Sequence, residues 1–370
     1  MFKQFEILVA ACLYYSGLVK LARWWTQRSG PRLIVLCYHR AAGKYLRQQL
    51  LYLSRSYRVL HLETALEELY KPREDELQRK DRRTLLVLTF DDGYHDNYTD
   101  GLALARETQT PLTVFLLPGY IESGSRFWWQ EPKHLLLHTN VREATIDGRM
   151  YHVDKSGERK ALTRAIEARL RLATSIAERE EFLVAVRKVL ADTLPTNAQE
   201  KGALPLTWAE INEMEESGWI SFGGHTMHHP ILGYLADPAE AQYEVSECRA
   251  VLERQLGHPV RTFAYPYGGP EHIGENGLRA AREAKYDWAV TTIYGFNTPQ
   301  TERHLLHRIV VDVDQHWLVV AAKASGVWEF FMRPCRMPID FIMNIFRRKL
   351  VICAYAEEGE RTLATSVESS

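Results

Sequence analysis

The sequence predicts an α/β fold: a (β/α) barrel of about seven parallel strands, with a helical insertion and helical extensions at both termini. Three observations predict it. Short apolar runs alternate with longer amphipathic stretches through most of the 370 residues, the pattern of strands joined by crossover helices. One long charged segment interrupts that rhythm. Both ends differ in character from the middle. The strand candidates, in order, are Leu33–Tyr38, Leu85–Phe90, Leu112–Leu117, Trp219–Gly223, Val260–Ala264, Trp288–Thr291 and Leu306–Val311. The helix candidates between them include Asp96–Glu107, Thr207–Ser217, Pro238–Gln255 and Glu271–Lys285. Seven units are one fewer than a regular eight-stranded barrel contains.

The interruption runs from about residue 125 to 203 and is mostly helical in pattern. Leu162 to Leu190 carries apolar residues at helical spacing among many Arg and Glu. It is either an insertion over one mouth of the barrel or a solvated helical hairpin. The chain therefore divides into an N-terminal helix (1–30), a barrel domain (31–324) and a C-terminal extension (325–370). In that extension Phe330–Met332, Ile339–Phe346 and Arg347–Lys349 mix apolar and basic residues, and Glu358–Ser370 is expected to be disordered.

Composition narrows the function. Hydrophobic residues make up 46% and charged residues 25%, so a packed core is expected. The net charge of −1 offers no global field for nucleic acid, and none is expected as a partner. The five cysteines, Cys12, Cys37, Cys248, Cys335 and Cys353, contain no CxxC pair. A cysteine zinc site or a disulfide scaffold is not expected. Ile7 to Val19 is free of charge and is followed by Lys20, Trp24, Trp25 and Arg28. Thirteen residues are too few for a spanning helix, which needs about 20. Glu6 precedes the run and the basic residues follow it, the wrong order for a cleavable signal peptide. Peripheral contact with a membrane surface and plain docking on the core are both open.

Three motifs carry chemistry, each at the end of a candidate strand, where barrel active sites assemble. Thr89-Phe90-Asp91-Asp92-Gly93 sets two carboxylates side by side. Like charges repel, so ionising both calls for a cation nearby, although Asp-Gly also occurs in plain turns. In His225-Thr226-Met227-His228-His229-Pro230 the first and last histidines are four apart. On one helical turn they would share a face and a metal, with Pro230 ending the turn and His228 pointing elsewhere. Two imidazoles and one carboxylate leave open positions on a metal, as catalytic zinc requires. Phe263-Ala264-Tyr265-Pro266-Tyr267-Gly268-Gly269 is a turn that can aim a backbone N–H at an oxyanion.

Together these motifs resemble the polysaccharide deacetylases with a nodulation-deacetylase-like domain, carbohydrate esterase family four, over about Pro31 to Ala324. Leu36-Cys37-Tyr38-His39-Arg40 and Phe127-Trp128-Trp129 resemble a bacterial branch of that family associated with exopolysaccharides. The resemblance implies a distorted (β/α) barrel, one divalent metal ion, usually zinc, and an acetylated glycan substrate. It implies Asp91 as general base, Asp92, His225 and His229 as metal ligands, and the Tyr267 N–H as oxyanion donor. A membrane-associated or cytoplasmic location is expected.

Two departures stand out. Many members carry an arginine, bracing the base, at the position of Ala264, and many have a histidine general acid on the last strand. Here that strand reads Leu305-Leu306-His307-Arg308-Ile309-Val310-Val311. Neighbouring strand residues point to opposite faces, so only one of His307 and Arg308 can face the interior. Arg308 is the preferred brace, because Asp91 otherwise lacks a cationic partner. Asp287 and Trp288 are candidates to line the site. The rival readings are an O-acetyl esterase, a glycosidase, whose carboxylates would stand ~5–9 Å apart across the scissile bond, and a catalytically silent sugar-binding barrel in polysaccharide export.

Overall fold

The computed structural model describes residues 2–71, 81–190 and 202–332. The expected tail elements Ile339–Phe346 and Arg347–Lys349, and the end from Glu358, lie outside the described residues.

The strands are β1 (Leu33–Tyr38), β2 (Arg58–Val59), β3 (Leu85–Phe90), β4 (Leu112–Leu116), β5 (Glu143–Ile146), β6 (Arg149–His152), β7 (Ile220–Gly224), β8 (Thr262–Ala264), β9 (Trp288–Val290) and β10 (Ile309–Val310). The main sheet is parallel, in the order β10-β1-β3-β4-β7-β8-β9, with β2 beside β3. The expected last strand, Leu306–Val311, is regular only over Ile309–Val310. Its two ends do different jobs: Leu306 bridges to Val290 of β9, while Ile309 and Val310 pair with Leu36 and Cys37 of β1. The curled sheet is thereby closed into a distorted barrel of seven principal strands.

Every residue of β1 and β3 is buried, as expected for parallel strands covered on both faces. Alternate residues serve different layers. Leu33, Val35, Leu85 and Val87 pack inside the barrel with Phe115 and Val290, while Ile34, Leu36, Leu86 and Leu88 pack outward against helices. Helix Leu62–Tyr70 sends Leu62, Ala65, Leu66 and Leu69 into the inner cluster and plugs the end where the strands begin. The opposite end, where the strands finish, is left for chemistry.

Among the described residues of the 125–203 segment the mostly helical pattern holds, with two short strands added. Helices Glu131–His138, Ser156–Arg171 and Ile176–Val189 are joined by an antiparallel hairpin, β5 with β6. Four-residue strands are too short for their alternation to stand out beside long helical patterns. The segment has its own core, with Leu135, Ile146, Tyr151, Leu162, Ile166 and Leu183 buried together.

At the N-terminus two helices, Phe2–Tyr15 and Leu18–Arg28, dock against helix Trp317–Ala324. Ala10, Leu13 and Val19 are buried with Leu318, Val319, Ala322 and Trp328. Among the described residues no single helix is long and apolar enough to cross a membrane, and these two pass such a test only as a pair bent by 64°.

The glycine pair at the end of β7 marks the tightest packing near the site. A Cβ on Gly223 would lie 2.6 Å from both the Phe115 ring and the Thr262 hydroxyl. Gly223→Ala is therefore expected to destabilise the fold by about 1–3 kcal/mol through overpacking, read as a lower midpoint in urea denaturation.

Candidate active site and metal centre

Three strand ends converge at the open mouth of the barrel. At the end of β3 the chain turns sharply, with Asp92 at φ 74° and Gly93 at φ 65°. At the end of β7 it runs straight into His225, whose N–H donates to the Leu116 carbonyl (2.9 Å). His225 and His229 do come together, with ring centroids 4.9 Å apart, but not on a helical turn. Residues 225–230 form no helix. Thr226 (φ 72°) and His229 (φ 56°) are left-handed, and the His229 N–H donates to Thr226 Oγ1 (2.9 Å).

The loop is tied down by Glu244, buried on helix Pro238–Leu256. Its carboxylate accepts from the His228 N–H (2.8 Å) and from His228 Nδ1 (2.7 Å), and its carbonyl accepts from the Met227 N–H (3.1 Å). His228 thus points away from the other two histidines and serves as an anchor.

Asp92, His225 and His229 are all buried and their ligand atoms lie within 4.8 Å of one another. The Nε2 atoms of both histidines stand 3.5 Å from the same oxygen, Asp92 Oδ1. That spacing is long for a hydrogen bond. It matches the ~3.4 Å between donor atoms in a tetrahedral site with bonds of 2.0–2.2 Å. Asp92 Oδ1 is buried without a hydrogen-bond partner, a costly arrangement that a cation would relieve. His225 Nδ1 must donate to the Ala264 carbonyl (2.6 Å), since a carbonyl can only accept. Its Nε2 lone pair is thereby turned toward Asp92, as in the outer shells of metal sites. Burial lowers the His229 pKa to about 3, so its imidazole is neutral and free to ligate. The trio fits one divalent ion.

Asp91 has a different environment. Arg308, fully buried, grips it with both arms, Nη1 to Oδ1 at 2.7 Å and Nη2 to Oδ2 at 2.8 Å. The guanidinium is itself fixed by the Thr291 carbonyl (2.8 Å) and Thr89 Oγ1 (3.1 Å). Burial, the largest single influence, would raise the Asp91 pKa; the charge and hydrogen bonds of Arg308, with His225 and His39 nearby, together outweigh it and hold the carboxyl well below the usual range. His307 takes the other parity, half-buried beside Gly295.

One group near Asp91 was not anticipated. His39, exposed just past the end of β1, has a ring nitrogen within 4.8 Å of both the Asp91 carboxylate and Cys37 Sγ. It lies in the run Leu36–Arg40 that resembles a branch of the family, but its only chemical signal in the sequence is position, directly after a buried strand. Asp287 and Trp288 do not line the site. They lie at the plugged end, where Arg261 pairs with Asp287 (2.6 Å) and covers the Trp288 ring, because β9 begins there.

Tyr267 sits in a tight turn with φ 60°, closed by the Gly268 N–H donating to the Pro266 carbonyl (2.6 Å). Among the described residues, no acceptor takes the Tyr267 N–H. Of the seven non-glycine residues with left-handed backbone among those described, four (Asp92, Thr226, His229 and Tyr267) belong to this site, where strain is characteristically stored.

The sequence model of the polysaccharide deacetylase family matches residues 78–289, more than half of the chain. The chain belongs to the polysaccharide deacetylase family. YxkH of Bacillus subtilis (strain 168), a protein with a polysaccharide deacetylase name, is 29% identical over 106 residues, which are 29% of this chain and 36% of that protein. The chain thus spans about a third of that relative's length. Among solved structures, the Streptococcus pyogenes deacetylase PplD in complex with acetate is similar, with a TM-score of 0.51 at 19% identity, covering 80% of this chain and 99% of that one. At that identity the likeness speaks for the fold.

In this member of the family the match takes in Asp91, Asp92, His225, His229 and Tyr267 but stops short of His39 and Arg308. The insertion completes the wall. Trp128 Nε1 donates to the His229 carbonyl (3.1 Å), the Trp129 ring lies 4.4 Å from the His229 ring, and Arg171 covers the Tyr267 ring at 4.9 Å. The segment therefore stands at the mouth of the barrel.

Because Glu244 holds the 225–230 loop from outside, Glu244→Ala is expected to weaken divalent-metal affinity by about 10–100-fold, as loss of an outer-shell partner does. His228→Ala, which leaves the backbone contacts intact, should cost less. Competitive titration against a metal chelator measures both.

Proposed function

We propose that the protein removes N-acetyl groups from an N-acetylhexosamine-containing polysaccharide or oligosaccharide, with Asp91 as general base and one divalent ion, zinc in the first place, held by Asp92, His225 and His229. The observation that carries this reading is the division of labour between adjacent carboxylates. One is neutralised by a bidentate arginine; the other is left with an unpartnered oxygen facing two imidazoles. The solved relative PplD holds acetate, the acid such a reaction releases.

When bound, the ion supplies Lewis acidity toward the acetyl oxygen and acidifies water. Asp91, ionised and oriented by Arg308, accepts the proton of the attacking water. The Tyr267 N–H donates to the oxyanion that forms as the carbonyl carbon becomes tetrahedral. His39 donates a proton to the sugar nitrogen as the C–N bond breaks, so that amine and acetate separate. It takes this role in place of His307, which lies on the wrong face of its strand. Trp129 and Tyr267, beside His229, form the aromatic wall against which a sugar ring packs. An intact set of ligands and base speaks against a silent binding barrel. An exopolysaccharide is the favoured substrate class.

The test compares purified variants on N- and O-acetylated oligosaccharides. His229→Ala should lose both metal and turnover. Asp91→Asn should keep the metal and lose at least ~10²–10⁴-fold in turnover, the usual worth of a general base. If it loses the metal too, Asp91 is a ligand and the assignment fails. Arg308→Ala should keep the metal. Without the guanidinium, burial raises the Asp91 pKa, so a higher pH is needed to ionise the base. The acidic limb of the kcat/KM profile should therefore move to higher pH. His39→Ala should instead alter the basic limb.

We also propose peripheral membrane contact through the N-terminal helices. Phe5 and Leu8, then Leu21, Trp24 and Trp25, are exposed at helical spacing beside Lys20 and Arg28, the composition of an interfacial helix. The opposite faces of these helices dock on the protein, so this reading and docking coexist. Replacing Trp24 and Trp25 by Ser should lower partitioning onto anionic vesicles about tenfold or more, because each buried aromatic is worth ~1.5–3 kcal/mol and 1.4 kcal/mol is tenfold. Unchanged sedimentation with vesicles would sink the idea.

A further inference from the structure

A second set of metal-ligating groups meets on Asp91. One atom each of Cys37, His39 and Asp91 lies within 4.8 Å of the others. Cys37 Sγ stands 3.4 Å from Asp91 Oδ2, close to the ~3.6 Å expected between sulfur and oxygen on a tetrahedral zinc with bonds of 2.3 and 2.1 Å. Thiolate, imidazole and carboxylate together suit zinc or cobalt far better than magnesium or calcium. Arg308 takes one contact on each Asp91 oxygen. A carboxylate has about four lone-pair sites, so acceptor capacity remains. His39 is exposed and opens the group to the mouth.

We propose that Cys37, His39 and Asp91 form a second, weaker zinc site whose occupation switches the enzyme off. The Cys37 sulfur releases its proton to solvent as zinc binds. Arg308 already occupies both Asp91 oxygens and keeps a positive charge beside the site, which makes this the later site to fill. The inhibition rests on the reading of Asp91 as base and His39 as acid, since zinc here would occupy both; the binding itself does not.

Cobalt(II) reports the two sites separately. The full-length protein should bind two cobalt ions per chain, and the second should bring the near-ultraviolet thiolate-to-cobalt charge-transfer band. In His229→Ala the first ion should be lost and the band kept. In Cys37→Ser the first ion should remain and the band vanish. The zinc concentration for half-inhibition should then rise by at least the ~10–100-fold that loss of a mere outer-shell partner costs. The wild-type band tests the site even if the serine variant does not fold. A second cobalt without the band, or zinc inhibition unchanged in Cys37→Ser, overturns the proposal. Two cobalt ions with the band, but no turnover on any acetylated glycan, would leave the site standing and bring down the deacetylase reading instead.

Discussion

Everything at this mouth depends on burying two adjacent carboxylates. Asp91 and Asp92 are almost wholly removed from water, and ionised neighbours cannot both be stable there without compensation. The chain resolves this by turning them apart. Left-handed backbone at Asp92 sends the two side chains to different partners. Asp91 meets a cation that the protein supplies, Arg308. Asp92 meets two imidazoles, one turned lone pair first by Ala264 and one neutral through burial. Only the first carboxylate is neutralised from within. The second keeps an oxygen without a hydrogen-bond partner, and the proposed roles of base and ligand rest on that difference.

The strain needed for that separation is local and well supported. Asp92, Thr226, His229 and Tyr267 all hold left-handed backbone, at a cost of about 1–3 kcal/mol each. Three supports hold them. Gly93 lies so close to Leu116 that a Cβ would come within 2.9 Å. Glu244 clamps the histidine loop. Thr292 Oγ1 donates to the Tyr267 carbonyl (2.7 Å). Leu116 belongs to β4 and Glu244 to helix Pro238–Leu256, so two of these supports come from regular elements packed around the site.

Legibility in the sequence followed burial. Strands such as Leu33–Tyr38 and Leu85–Phe90 were readable to the residue because both faces are covered and the whole run is apolar. Strand parity admits only one of Arg308 and His307 to the interior, and the need of Asp91 for a cation is what favours Arg308, the residue that faces it. The pairing of His225 with His229 was read correctly for a wrong reason. The i,i+4 spacing suggested a helical turn, whereas left-handed backbone at Thr226 and His229 makes the approach, and spacing does not encode that. Asp287 and Trp288 stand at the start of a strand, and the chemistry of a parallel barrel gathers where strands finish, so their place at the plugged end follows from strand direction. His39 carries no periodic signal at all; its nearness to Asp91 exists only once β1 and β3 are paired.

That last point explains why the closing seam of the barrel matters so much. His39 follows β1 and Arg308 precedes β10, and these strands are neighbours although they lie near opposite ends of the chain. The seam has its own fastening. Buried Gln49 accepts from the Tyr38 hydroxyl (2.9 Å) and donates to the carbonyls of Asp312 (3.0 Å) and Gln315 (2.7 Å). The Val311 N–H donates to the Cys37 carbonyl (3.0 Å). Helix Trp317–Ala324, which leaves the seam, is covered by the N-terminal pair of helices. A slip of one residue along β10 would exchange Arg308 for His307 on the inner face and leave Asp91 buried without its cation. The terminal helices, remote from the chemistry, thus help to hold the register on which the charge balance of the site relies.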